Sequence, residues 1–176
     1  QSMSMERPGS ENQARLSFSV ASRLDYNAEI KEDALFNYAV VTYELSYNPF
    51  NEAVVAFNQY IYLYPTSKRI DEAYKYLVLA FMSTKNYKTA LALLEKIRNK
   101  TPEIEKAYQR VAYFRGLELF NNLLFNDAIN KFDESLKYKQ YDNEIKTLCY
   151  YWKGESYYRL KDFNSALEFY NQFMSS

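Results

Sequence analysis

The side chains that could do covalent chemistry are few in this chain. Its 176 residues contain no histidine, which removes the commonest general base and the commonest metal ligand. The single cysteine, Cys149, lies in the run Leu148-Cys149-Tyr150-Tyr151-Trp152 and reads as a small buried apolar side chain rather than a reactive thiol. Carboxylate pairs occur at Asp71-Glu72 and at Glu103 and Glu105. They sit at polar helix starts, where a negative charge favours the helix dipole without any catalytic role. No glycine-rich phosphate loop follows a strand. No catalytic, cofactor-binding or metal-ligating residue is therefore expected, and no enzyme. What the chain does hold is contact chemistry, with 19 tyrosines and 12 phenylalanines that offer large areas with a polar handle.

The elements that must position these rings show in a repeat. The segments 50–61, 87–97, 125–136 and 163–173 each open with an aromatic residue, have alanine three residues later, and carry a large apolar residue four after that. The aligned alanines are Ala53, Ala90, Ala128 and Ala166, spaced by 37, 38 and 38 residues. Ala14 opens the same pattern 39 residues before Ala53, as the second half of a repeat. Gly116 and Gly154 each stand 12 residues before their alanine. Glycine inside a helical run costs about 1 kcal/mol against alanine, so close approach of two helices, with alanine facing glycine, is expected there. Val41 and Val78 fill that slot in the other repeats, where looser packing is expected. Pro65 and Pro102 each follow their alanine by 12 residues and mark repeat junctions, because proline is tolerated beyond a helix end or in its first turn.

This pattern predicts an all-α fold of about nine helices, near 13–24, 32–47, 50–63, 68–84, 87–99, 103–122, 125–138, 142–160 and 163–175. Apolar residues at 48% support a core, and only 3 glycines and 4 prolines argue against a turn-rich β fold. Residues 1–12 read as a linker or cloning remnant, 13–31 as a half repeat, and 32–67, 68–102, 103–140 and 141–176 as full repeats. The chain opens with Gln1 rather than Met, which reads as a processed chain or an excised piece of a longer protein. Lys+Arg and Asp+Glu are both 22, without the basic excess that a nucleic-acid backbone calls for. No apolar stretch of 18 residues is present to span a membrane.

The small residue in each first helix, the aromatic, alanine and large apolar residue of each second helix, and the junction proline together resemble the tetratricopeptide repeat (TPR) over residues 14–173. The phrases AFNQYIYLYPTSKRIDEAYKYL and ALALLEKIRNKTPEIEKAYQRV look like the long-loop repeats of bacterial envelope proteins, such as the outer-membrane-assembly lipoprotein and the Tol–Pal cell-division coordinator. The Tyr- and Asn-rich style resembles multi-repeat proteins of Bacteroidetes. The resemblance implies a right-handed superhelical solenoid of antiparallel helix pairs, a bacterial periplasm or cell-envelope setting, and a non-catalytic protein-interaction scaffold whose concave face holds a peptide or protein.

The ligand-facing positions that the resemblance carries over are Leu35, Tyr38, Thr42 and Leu45, then Glu72, Lys75, Leu79 and Met82. Those of the later repeats are Arg110, Tyr113, Leu117 and Phe120, then Leu148, Tyr151, Glu155 and Tyr158. Tyr38 and Thr42 stand where the chaperone-tail clamp of the family needs Lys and Asn, so that sub-function is not expected. Arg115, beside Gly116, reads as a structural ion pair. The final helix, ending in Asn171-Gln172-Phe173-Met174, lacks a polar capping helix, so end-to-end self-association is a second expected contact. The alternatives to a scaffold are a spacer segment of a longer solenoid and an aromatic groove for carbohydrate or another small ligand.

Overall fold

The computed structural model describes residues 8–23, 27–45 and 52–176. Among these every regular element is a helix: α1 (Pro8–Arg23), α2 (Ala28–Leu45), α3 (Glu52–Leu63), α4 (Ile70–Ser83), α5 (Tyr87–Lys96), α6 (Pro102–Asn121), α7 (Phe125–Leu136), α8 (Asn143–Arg159) and α9 (Phe163–Met174). Two helix starts differ from the sequence reading by four residues or more. α1 starts at Pro8, inside the stretch read as linker, because proline's fixed φ suits a first helical turn. α2 starts at Ala28, where Asn27 precedes it and its side-chain oxygen accepts the Glu29 N–H at 3.2 Å.

The chain forms two compact units, 1–84 and 85–176. The division falls inside the repeat expected at 68–102, so α4 packs with α2 and α3 while α5 packs with α6.

In the first unit the alanines Ala39, Ala53 and Ala73 are buried and let three helices close around rings. The Phe36 ring lies edge-on to Tyr60 at 5.0 Å, and Phe57 stacks on Tyr76 at 4.9 Å. The Arg69 guanidinium caps Phe36 from 3.5 Å and reaches Asp33 at 3.0 Å. The Tyr60 hydroxyl donates to Glu32 at 2.8 Å and shares a hydrogen bond with Ser67 at 2.7 Å, which ties the α3–α4 connection to α2.

In the second unit Ala90, Ala128 and Ala166 are all buried. The glycine expectation needs correction. A Cβ on Gly116 would meet the Phe132 ring at 2.5 Å, and one on Gly154 would meet the Tyr170 ring at 2.8 Å. Each glycine thus makes room for the ring one turn beyond the alanine, not for the alanine itself.

Besides Asn27 at α2, side-chain caps start four more of the described helices. Asn86, Thr101, Asp142 and Asp162 accept the N–H of Thr89, Ile104, Ile145 and Ser165, satisfying donors that a helix start leaves open. Pro102 follows its Thr101 cap as the first residue of α6, and Pro65 sits between α3 and α4, as expected of junction prolines.

Three turns share one backbone form. Lys85, Leu123 and Lys161 have φ of 58°, 62° and 64°. In the last two, the residue's own N–H and the one after it close back on the helix: Leu123 on Phe120 and Leu124 on Leu119, then Lys161 on Tyr158 and Asp162 on Tyr157. This is the Schellman closure, made here without glycine, at about 1 kcal/mol or more of Cβ strain per residue.

Candidate binding surface

The first helix of each pair presents the rows expected to face a ligand. On α2, Leu35, Ala39 and Thr42 form one buried stripe at helical spacing, because α1, α3 and α4 enclose that face. Thr42 is therefore core, not surface, and its hydroxyl oxygen lacks a hydrogen-bond partner. Tyr38 on α2 is half-buried and lies along a cleft with Ser19, Arg23, Gln59 and Leu63. On α4, Lys75 and Met82 are half-buried and Leu79 is exposed.

On α6 the order is Arg110 exposed, Tyr113 buried, and Leu117 and Phe120 half-buried. Tyr113 is the second correction: its ring lies 6.2 Å from Phe132 and 5.3 Å from Phe114, inside the cluster that holds Ala128, Ile145 and Cys149. Burial pushes its phenol pKa up. The Arg110 guanidinium stands 5.8 Å from the Phe114 ring, which in turn stacks on Tyr87 at 5.2 Å. Phe120 meets Trp152 edge-on at 5.0 Å.

On α8, Tyr151 and Glu155 are partly spent on α9. Tyr151 contacts Phe173 at 5.4 Å, and Glu155 accepts the Tyr170 hydroxyl at 2.7 Å. Tyr158 is exposed and meets Phe163 at 5.6 Å. In the second unit, then, Arg110 and Tyr158 remain open to a partner, with Leu117, Phe120 and Tyr151 half available. Sequence reasoning missed Tyr43 and Tyr76, paired at 5.3 Å between α2 and α4, and Phe114 and Trp152. Each sits beside an expected ligand-facing position, and only the register of the neighbouring helix decides which is covered.

The other face of the second unit carries a groove of ≈ 670 Å³ floored by α6, with Lys88, Glu95, Asp127 and Lys131 among its lining. Arg115, which also lines it, is held by Glu118 at 2.5 Å, the ion pair expected of it. Nearby, the buried Lys153 ammonium contacts the Asp133 carboxylate at 2.5 Å and lies 3.8 Å from the Phe169 ring centre.

Cys149 is fully buried, and burial pushes its thiol up to about 12. Below pH 9 both folded and unfolded chains keep the thiol neutral. Between 9.0 and about 12 only the unfolded chain ionises, so that part of the stability is lost as pH rises through this window. Tyr60, also raised by burial to about 12 from 10.0, adds a loss of the same sign above 10. The native chain should ignore a thiol reagent near neutral pH and react after urea unfolding, and its urea midpoint should fall across that alkaline window. Rapid labelling of the native thiol would contradict the buried placement.

Among the described residues no group of three or more His, Cys, Asp or Glu converges as a metal site, and no helix is long and apolar enough to cross a membrane.

The helix pairs and their spacing define the class: an all-helical protein with a fold like that of tetratricopeptide repeats. Residues 33–67 and 148–176 match the family model described as tetratricopeptide repeat. No curated protein sequence matches significantly. Among solved structures the fold is similar to "MamA AMB-1 P212121" (17% identity, TM-score 0.56, 95% of this chain and 82% of that one). It is also similar to the "MamA RS-1 ArsTM double mutant" (20%, 0.54, 95% and 85%). A third is "MamA 41-end from Desulfovibrio magneticus RS-1" (18%, 0.52, 95% and 85%).

Proposed function

We propose that this chain is a non-catalytic scaffold that holds a peptide or protein on the first-helix rows of its repeats. The observation that carries this is the row on α6 and α8. There Arg110 and Tyr158 are exposed and Leu117, Phe120 and Tyr151 half-buried, although the helix interior beside them is fully packed with Tyr113 and Phe132. Arginine and aromatic side chains around a partly apolar strip are the composition of interface hot spots. The long spacing of the repeats supports placing it with the envelope subtype.

The test is affinity capture from the native cell with the double variant Arg110→Ala/Tyr158→Ala, whose residues are exposed enough to leave folding intact. At two hot-spot positions the expected loss of affinity is on the order of a hundredfold. An unchanged set of captured proteins would remove the row as the binding surface.

A second reading, self-association through the terminal helix, is favoured by the exposure of Leu167 and Met174 on α9. A sedimentation coefficient independent of concentration would discard it.

A further inference from the structure

The described arginines of the first unit differ in what they hold. Arg15 reaches Glu52 at 3.3 Å, and Arg69 reaches Asp33 and Glu72 at 3.0 and 3.4 Å. The side chain of Arg23, the last residue of α1, makes no ion pair or hydrogen bond with any described residue. Neither do the side chains of Tyr38 on α2 and Gln59 on α3. These three donors converge. They line two adjoining chambers, an inner one of ≈ 160 Å³ and an outer one of ≈ 360 Å³, and no other residue is common to both.

The rest of the lining sorts by chemistry. Leu35 and Leu63 wall the inner chamber, and Val55 and Ala56 wall the outer one. Leu63 is 50% exposed and Val55 65% exposed, so α3 offers an apolar edge beside both. The hydroxyl of Ser22, in the inner chamber, is turned onto the Ser19 carbonyl at 2.9 Å. Glu52 is the one acid among the lining residues, and its ion pair with Arg15 offsets it. The Arg23 charge is therefore left uncompensated at the junction of the two chambers. A guanidinium receives a carboxylate in a planar, two-point fork. Tyr38 and Gln59 can add donors to the same group, and no bond within the fold has to break to release them.

We propose that this junction binds the side-chain carboxylate of an acidic peptide segment, with an apolar neighbour of the acid filling the inner chamber. Three observations choose this ligand. A single cation matches a carboxylate, whereas a phosphate group carries about −1.5 to −2 near neutral pH and would be left half neutralised. The chambers lie on both sides of the donors, so the ligand continues past its anion in two directions. An internal acidic residue does that and a chain-terminal carboxylate does not. The walls are apolar on both sides, at Leu35 and Leu63 and at Val55 and Ala56. The site belongs to the unit spanning 1–84 and does not depend on the row proposed above on α6 and α8.

The experiment is fluorescence anisotropy of the whole chain with labelled heptapeptides of serine and glycine, blocked at both ends, whose central Asp or Glu is flanked by leucines. Matched sets carry Asn or Gln at the centre, or phosphoserine, or a free terminal carboxylate as the sole acid. The blocked acidic peptides are expected to bind, and their Asn and Gln counterparts to bind about tenfold more weakly. Arg23→Gln should weaken the acidic peptides about tenfold or more, and Tyr38→Phe about fivefold. Both variants should keep the thermal midpoint of the unaltered chain within a few degrees. Arg110→Ala/Tyr158→Ala should bind these peptides as the unaltered chain does, which separates this site from the row in the other unit. Three outcomes overturn the proposal: acidic peptides bind no better than their amide counterparts, Arg23→Gln binds them as well as the unaltered chain, or the phosphoserine or free-terminus set binds more tightly.

Discussion

An Asp133→Ala chain is expected to lose about 3 kcal/mol of stability, while Lys153→Met, in the same ion pair, should lose less than about 1 kcal/mol. The asymmetry follows from who is buried. The Lys153 side chain is 7% exposed and Asp133 half exposed. Removing the carboxylate leaves an ammonium enclosed in α8 with only the Phe169 ring 3.8 Å away, and a cation–π contact recovers about 1–2 kcal/mol at most. Removing the lysine leaves a carboxylate that water already reaches, and methionine fills the stem's volume. Urea titrations of the two variants decide it. If Lys153→Met proved as costly as Asp133→Ala, the pair would be a net stabiliser in its own right.

Phe132→Ala should cost about 4 kcal/mol, in the range for truncating a fully enclosed ring. Phe132 is completely buried and its ring occupies the space that Gly116 leaves open, closer than a Cβ there would permit. Backbone on one side and Tyr113 on the other keep the site from collapsing. The matched control is Tyr170→Ala over Gly154. That ring is half-buried on the last described helix, so its loss should cost about 1–2 kcal/mol. Equal costs at the two positions would mean that the fuller enclosure of Phe132 adds nothing to its contribution. In the Phe132→Ala background, Gly116→Ala should become harmless or stabilising, because the added methyl then fills space and improves helix propensity.

These packing pairs show how far the sequence could be read. The 37- and 38-residue spacing of Ala53, Ala90, Ala128 and Ala166 located every second helix, since a methyl is the largest group the crossing admits. The glycines were found by their offset, but which neighbour they served was not. Residue type marks that space is short and does not say whether the intruder is a methyl or a ring one turn further on.

Thr42 and Tyr113 were misplaced for a related reason. A helix lying between two others is covered on more than one stripe, and the extra stripe depends on how the neighbours cross it. Tyr113 is enclosed by groups from α7 and α8 as well as its own helix. The left-handed turns were invisible because none contains glycine. Lysine and leucine carry no signature of positive φ, and only their common 38-residue interval would have grouped them.

The placement of Trp152 has an optical consequence. It is the only tryptophan in the chain, set against Phe120 in the unit spanning 85–176. Indole emission therefore reports the melting of that half alone, whereas far-ultraviolet ellipticity reports both. Superimposable curves from the two signals would mean a single cooperative transition, and a separation between them would measure how independently residues 1–84 come apart.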